Sequence, residues 1–401
     1  MEKALADLTV LDLSRVLAGP YGTMLLGDFG AEIIKVEQPG RGDDTRQWGP
    51  PFTKHGQSAY FLCVNRNKRS ITLNLKRAEG RDILRRLAAQ ADILIENFKV
   101  GVMDRLGLGF AQLRETNPGL IYCSITGYGQ NGPSKDRPGY DTVIQAQGGL
   151  MSINGPTENG DDGEPFKVGV AIVDVSAGLF AVIGILSALH HRQRTGQGQH
   201  IDIALFDAQL GWLANVASNY LVSGQPPKRY GNAHGTIVPY QTFASADGHL
   251  MLAVGNDGQF RSLCQALAIE AVADDPRFAT NPDRVAHRES LLPLLERLFR
   301  QQPTHVWIER LLDVGVPCGP VADVPTALNS PQSQARGMVQ QVVDSSGDEI
   351  SLVGPVIKMS ATPPAIDSAP PFLGEQTEEV LREKLGMEAE EIEELRRAGV
   401  I

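Results

Sequence analysis

Short apolar runs alternate with amphipathic stretches from the first residues of this chain, and that alternation constrains the fold more than any other feature. TVLDLS (9–14) reads as a strand, a glycine-bearing segment runs on to Gly30, and AEIIKVE (31–37) reads as a second strand, so the chain opens as a βαβ unit. RSITLNLK (69–76) alternates apolar and polar side chains, and RAEGRDILRRLAAQA (77–91) has the period of an amphipathic helix. DILIEN (92–97), LIYCSIT (120–126) and QHIDIAL (199–205) are further short strands. Strands separated by helices imply an α/β fold, a Rossmann-like and mostly parallel sheet with helices on both faces. The chain's 401 residues exceed one ordinary core, and the texture turns loop-rich from about Gly224, with strand-like runs at 240–245 and 249–254 and helices at 258–269 and 288–301. The expected organisation is a large domain from 1–205 and 345–401, a smaller α/β domain at 225–325, and linkers at 206–224 and 326–344.

Composition narrows the class. A net charge of −10 argues against generic nucleic-acid binding, and much of the acid sits in the tail, where nine glutamates between Glu375 and Glu394 mark two short amphipathic helices with a solvated face. Cys63, Cys123, Cys264 and Cys318 lack paired spacing and read as reduced thiols. MEKALADLTVLDLS has no basic start or apolar core of a signal peptide, and the apolar part of the 175–189 helix is shorter than a membrane span, so a cytoplasmic protein with no membrane partner is expected.

One acid stands out. Asp174 lies where the extended VGVAIV gives way to a helix read from Val175, Leu179, Phe180, Val182, Ile183, Leu186 and Leu189. Free N–H groups and the macrodipole at a helix start favour an ionised, nucleophilic carboxylate. A plain N-cap is the competing reading, although Ala177 three residues on provides no capping box. A nicotinamide or flavin site lacks support, because Gly19, Gly22, Gly27 and Gly30 do not have the G-x-G-x-x-G spacing, despite a ribose-like acid at Glu37. No HExxH occurs and no metal is expected. The basic group Arg66, Lys68, Arg69, Lys76 and Arg77 could hold phosphates or form a solvated face. His234 in YGNAHG and the turn Gly255, Asn256, Asp257, Gly258 in VGNDGQF could contact substrate or form a lid; each could equally be structural.

Several ordered blocks together resemble the class III CoA-transferase family, the CaiB/BaiF group. They are VLDLSRVLAGPYGTMLLGDFGAEIIKVEQPGRGDDTR (10–46), NRNKRSITLNLK (65–76), ENFKVGVMDRLGL (96–108), SITGYGQNGP (124–133), the VGVAIVD segment ending at Asp174, VPCGPV (316–321) and LGEQTEEVL (373–381). The resemblance implies that Asp174 is the catalytic nucleophile, forming a mixed anhydride and then an aspartyl-CoA thioester. Coenzyme A, carried as acyl-CoA, is the implied substrate. Its implied contacts are Leu17 and Ala18; Leu73, Asn74, Leu75 and Lys76; Asn97 and Phe98; Arg105; and Gly139, Tyr140 and Asp141. Lys76 and Arg105 would meet phosphates and Phe98 the adenine. Gln38, Pro138 and Leu17 depart from the formyl-CoA transferase branch, and the chain looks more like the branch that moves CoA between succinyl-CoA and other dicarboxylic or hydroxylated acids. The α-methylacyl-CoA racemases resemble the chain too, but their histidine falls at Tyr140, whose phenol is a poor proton shuttle at neutral pH. A non-catalytic CoA-binding protein is a third reading. The family also implies an interlocked, ring-like homodimer.

Overall fold

A computed structural model describes residues 3–157 and 163–401. Its first unit, residues 1–150, 168–223 and 331–401, is built on β1 (Thr9–Asp12), β2 (Glu32–Glu37), β3 (Lys68–Thr72), β4 (Ile93–Glu96), β5 (Ile121–Thr126) and β6 (His200–Ala204). These six strands are all parallel, in the order β3-β2-β1-β4-β5-β6. The fold is the Rossmann-like α/β sheet that the strand–helix alternation implies. Alternate side chains of each strand feed opposite cores. Val10, Ile93, Ile95, Ile121, Cys123 and Ile125 pack with the Ala18–Asp28 and Ile172–Thr195 helices. Leu11, Leu94 and Tyr122 point the other way, toward Ile83, Leu84 and Leu87 of the Ala78–Ala88 helix and toward Val380, Leu381 and Ile392 of the tail helices Thr377–Leu385 and Ala389–Arg397.

The Ile172–Thr195 helix is 24 residues long and apolar enough to cross a membrane, longer than its 175–189 pattern suggests. It is instead half buried in this unit's core, and Gly196, at φ 72, ends it. The face it buries is made of Ala177, Ala181, Ile185 and Ala188, while Leu179, Phe180, Ile183 and Leu186 stay exposed. Small residues face inward because two backbones meet there. A Cβ on Gly178 would lie 2.6 Å from the carbonyl oxygen of Ala18, and one on Gly22 would lie 3.1 Å from that of Gly178.

Residues 206–223 are not an extended linker but belong to the Leu205–Trp212 and Ala214–Ser223 helices of the first unit. The expected 326–344 linker likewise contains two short helices, Val324–Leu328 and Pro331–Ala335, and runs into an antiparallel hairpin. Its strands are β10 (Val339–Val343) and β11 (Glu349–Val353), and Arg66 donates to the Val353 carbonyl at 2.8 Å. The second unit, residues 151–167 and 224–330, holds an antiparallel sheet of β7 (Tyr240–Ala244), β8 (His249–Ala253) and β9 (Cys318–Pro320). Phe243, Leu250, Phe260, Leu295, Phe299 and Trp307 form its core. The fully buried Arg284 locks this unit through Asp257 at 2.8 Å and the Val238 carbonyl at 2.7 Å.

Candidate active site

In the strand order of the first unit the chain leaves β1 on one side toward β2 and returns on the other as β4, which opens a crevice beyond the carboxyl ends of these two strands. The loop after β1 is held there by polar contacts. Asn97 donates to the Arg15 carbonyl at 2.7 Å and accepts the Arg15 N–H at 2.9 Å. Val16 has φ 71, a left-handed conformation that a β-branched residue rarely adopts, and both carboxylate oxygens of Asp43 accept its N–H at 3.2 Å. Holding such a residue costs about 1–3 kcal/mol, which the surrounding contacts must exceed.

Beneath this loop lies a buried ionic floor. Burial would raise the Asp12 carboxyl, but Lys68 at 3.0 Å, the Lys35 charge and hydrogen bonds from Ser14 and Thr23 outweigh it and hold the group at about 2. Burial draws the Lys68 ammonium down to about 8 against the pull of Asp12. Lys35 spans Asp43 and the Ser14 carbonyl, both at 3.0 Å. Glu37 is engaged with Arg46, Ser70 and the Asp43 N–H, so it is a structural acid rather than a ribose ligand. The basic group near β3 divides in the same way: Arg66 pairs with Asp28, and Arg69 with Glu32, Glu379 and Glu383. Of that group, Lys76 lines a cavity.

Two cavities open on the crevice. One, about 200 Å³, is lined by Val16, Leu17, Ala18, Asn97, Gly139, Tyr140 and Asp174, with the cations Arg15, Lys99, Lys135 and Arg137 around them. The other, about 270 Å³, is lined by Gln38, Leu73, Asn74, Leu75, Lys76 and Val102. Arg15 and Phe98 belong to both walls, with the guanidinium 5.4 Å from the ring centroid. Folding thus gathers most of the expected CoA residues into two adjoining spaces. Arg105 lies on the exposed side of the Val102–Arg105 helix and lines neither. Arg15, Lys99, Lys135 and Arg137 went unnoticed in the sequence, although the last two directly precede the PGYD turn. Among the described residues no histidine lines either cavity.

Asp174 is not the N-cap. The Ile172–Thr195 helix starts two residues earlier, its N-cap Ala171 makes no side-chain cap, and Asp174 sits in the first turn. The capping carboxylate comes from elsewhere. Asp141, buried at the start of the Asp141–Gln147 helix, accepts the Val173 N–H at 2.8 Å and the Asp174 N–H at 3.3 Å through one oxygen. Its other oxygen accepts from Gln145 at 2.6 Å, and Gln145 in turn accepts the Val168 N–H at 2.8 Å. Asp141 therefore faces the helix and does not line either cavity. Its position also reverses the electrostatic expectation for Asp174. Burial, followed by the Asp141 charge, pushes the Asp174 carboxyl up to about 7, and no donor among the described residues offsets this. Tyr60, on the Ala59–Leu62 helix, responds to the same charge: burial and then Asp174 push its phenol up to about 12.

The remaining expected residues lie in the second unit and find partners within it. His234 accepts the Thr236 N–H on Nδ1 at 3.1 Å, and its ring packs 5.5 Å from that of Tyr240. The VGNDGQF turn is a helix entrance. Asn256 caps the Asp257–Ala266 helix by accepting the Gln259 N–H at 2.9 Å, Gly255 donates to Gln259 at 2.7 Å, Asp257 binds Arg284, and Gly258 lies in the first turn.

A buried carboxyl in a crevice rimmed by cations suits acyl transfer on an anionic thioester, and the family that the chain matches is one of CoA-transferases. CoA-transferase family III matches residues 5–377. A succinyl-CoA:glutarate CoA-transferase of Homo sapiens is 43% identical over 399 residues, which cover 100% of this chain and 90% of that protein. A succinate–glutarate CoA-transferase of Agrobacterium fabrum is 46% identical over 389 residues, covering 94% and 95%. A CaiB/BaiF family protein of Brucella suis, known from its crystal structure, shares 47% identity and a TM-score of 0.85 across 96% of this chain and 100% of its own. With the match spanning both units, the chain belongs to CoA-transferase family III and is a class III CoA-transferase that uses CoA thioesters as substrates.

Proposed function

We propose that Asp174 is the nucleophile of the transfer, with succinyl-CoA as donor and a dicarboxylic acid such as glutarate as acceptor. The observation that carries the first part is a carboxyl held at about 7, with no hydrogen-bond donor among the described residues, on the wall of a cavity that shares Arg15 and Phe98 with an adjoining, more apolar one. A carboxylate of that basicity is a stronger nucleophile than an ordinary one, yet half of it is ionised near neutral pH. The substrate pair rests on the names of the two relatives above, a succinyl-CoA:glutarate and a succinate–glutarate CoA-transferase.

The adenine end of CoA would occupy the cavity of Leu73, Asn74, Leu75 and Lys76, and pantetheine would pass Phe98 toward Asp174. The Asp174 carboxylate attacks the thioester carbonyl, the C–S bond breaks, and CoA thiolate leaves with both electrons. Thiolate then attacks the aspartyl carbonyl of the mixed anhydride, expelling succinate and forming an aspartyl-CoA thioester. The acceptor carboxylate attacks that thioester, and the same two steps in reverse release glutaryl-CoA and restore Asp174. Every step exchanges one acyl bond for another, so no outside oxidant, reductant or energy source is required. The lack, among the described residues, of a histidine on either cavity wall disfavours the racemase alternative, which needs a second proton carrier.

The reading extends to the assembly and its setting. The apolar row Leu179, Phe180, Ile183 and Leu186, and Leu221 and Val222 at 80% and 90% exposure, would be covered by a second copy in a homodimer. A cytoplasmic location is proposed with it.

The test is intact and peptide mass after incubation with succinyl-CoA. Wild type should carry a CoA or succinyl adduct on the Asp174 peptide, whereas Asp174→Ala should carry none and lose at least about 10³-fold in turnover with glutarate. Turnover by Asp174→Ala within tenfold of wild type would reject the assignment.

A further inference from the structure

We infer that Asp141 is a positioning residue for the transfer, acting through Asp174 from behind the helix start rather than touching CoA. This rests on the proposed role of Asp174.

Three observations carry it. First, Asp141 is buried and turned away from the cavity that Asp174 lines, while its chain neighbours Gly139 and Tyr140 lie on the cavity wall. Second, its carboxylate is fully committed: one oxygen takes the Val173 and Asp174 amides and the other takes Gln145. Gln145, fully buried, then reaches the Val168 amide, so one chain of hydrogen bonds ties the segment leading into the helix to the helix's first turn. Third, the N–H groups at a helix start would normally favour a nearby carboxylate. Asp141 takes those groups for itself and places its own charge next to Asp174 in their stead. The result is a nucleophile fixed in direction and kept basic.

The surroundings of Asp174 give no other group that role. Tyr60 faces it from the Ala59–Leu62 helix, and Tyr140 and Asp44 share its cavity. The cations Arg15, Lys99, Lys135 and Arg137 line the same space, yet burial and Asp141 are what set the Asp174 proton affinity. Asp43 and Cys63 act on Tyr60.

The experiment is the pH dependence of kcat/KM for wild type, Asp141→Asn and Asp141→Ser, with the Asp174 adduct measured on each. Both variants remove the charge; Asn keeps an oxygen where the helix amides can reach it, and Ser replaces it with a shorter hydroxyl. In wild type kcat/KM should rise with pH through the Asp174 ionisation at about 7. In either variant the rising limb should move about one unit toward acid. The plateau kcat should fall about tenfold, because the nucleophile is less basic. KM for the acyl-CoA should stay within about twofold, since Asp141 makes no contact with it. An adduct should still form on Asp174. Folded variants with an unmoved rising limb would overturn the proposal, and so would a rise in KM with kcat unchanged. Failure of both variants to fold would make Asp141 a folding residue and overturn it as well. The absence of an Asp174 adduct from wild type would instead defeat the underlying assignment, whatever the Asp141 variants do.

Discussion

At the scale of single residues, the site opposes two kinds of buried carboxyl. Asp12 is compensated by lysines and held at about 2, whereas Asp174 is pushed up to about 7 by burial and then by the Asp141 charge. The second case has a consequence for stability. Between about 4, where the unfolded carboxyl loses its proton, and about 7, where the folded one does, the folded protein holds a proton that the unfolded chain has released. Stability contributed at Asp174 is therefore complete at low pH, declines as pH rises through this window, and is lost above it. Asp174→Asn, which cannot ionise, should gain stability relative to wild type by about 1–3 kcal/mol on going from pH 5 to pH 8, measured by urea denaturation. An equal difference at both pH values would show that Asp174 titrates normally. The candidate acid itself was visible in the sequence at an apolar strand-to-helix junction, but its proton affinity was not. Asp141 lies 33 residues away in the chain, and only folding brings its carboxylate to the Asp174 amide.

At the scale of elements, the helix carrying Asp174 was legible as a helix but not as to its buried face. Counting apolar side chains favours Leu179, Phe180, Ile183 and Leu186, yet these are exposed and an alanine-rich face is buried. Helix periodicity reports that a face exists; which face is buried depends on how closely the partner backbone approaches. Here the Ala18–Asp28 helix comes close enough that Gly22 and Gly178 have no room for larger side chains. Gly178 is one turn beyond Asp174, so its packing sets where the proposed nucleophile lies. Gly178→Ala would bring a methyl against a backbone carbonyl, which cannot move aside as a flexible side chain could. The change should cost about 1–3 kcal/mol in thermal or urea unfolding despite the better helix propensity of alanine. It should also lower kcat more than it raises KM, because the displaced group is Asp174; unaltered stability and kcat would refute this close-packing account. The basic stretch around β3 teaches the same lesson. Arg66 and Arg69 are cationic in any sequence-level view, but each meets a carboxylate across the fold and so is unavailable to phosphate.

At the scale of the whole molecule, the unburied apolar surface is the main feature that a single chain leaves unexplained. Leu179, Phe180, Ile183 and Leu186 on one helix, with Trp212, Tyr220, Leu221 and Val222 on the two that follow β6, are large apolar side chains left exposed on the single chain. Light scattering coupled to size exclusion should give twice the mass of the 43.3 kDa chain down to nanomolar concentration, and an active monomer would contradict the proposed dimer. The sequence by itself determined the strand–helix alternation, hence the parallel sheet, and it singled out Asp174; the family resemblance added ten further residues of the two cavity walls, a minority of their lining. Those properties are local: side-chain periodicity follows from backbone geometry, and ordered motifs keep their spacing along the chain. Only the tertiary structure decided that β1 lies beside β4, so that their loops meet as one crevice. It also decided which cations are spent on buried carboxylates, which helix face is covered, and which acid caps the helix of Asp174. Each of these depends on groups far apart in the chain, and proton affinity and packing respond to distance in space rather than along the sequence.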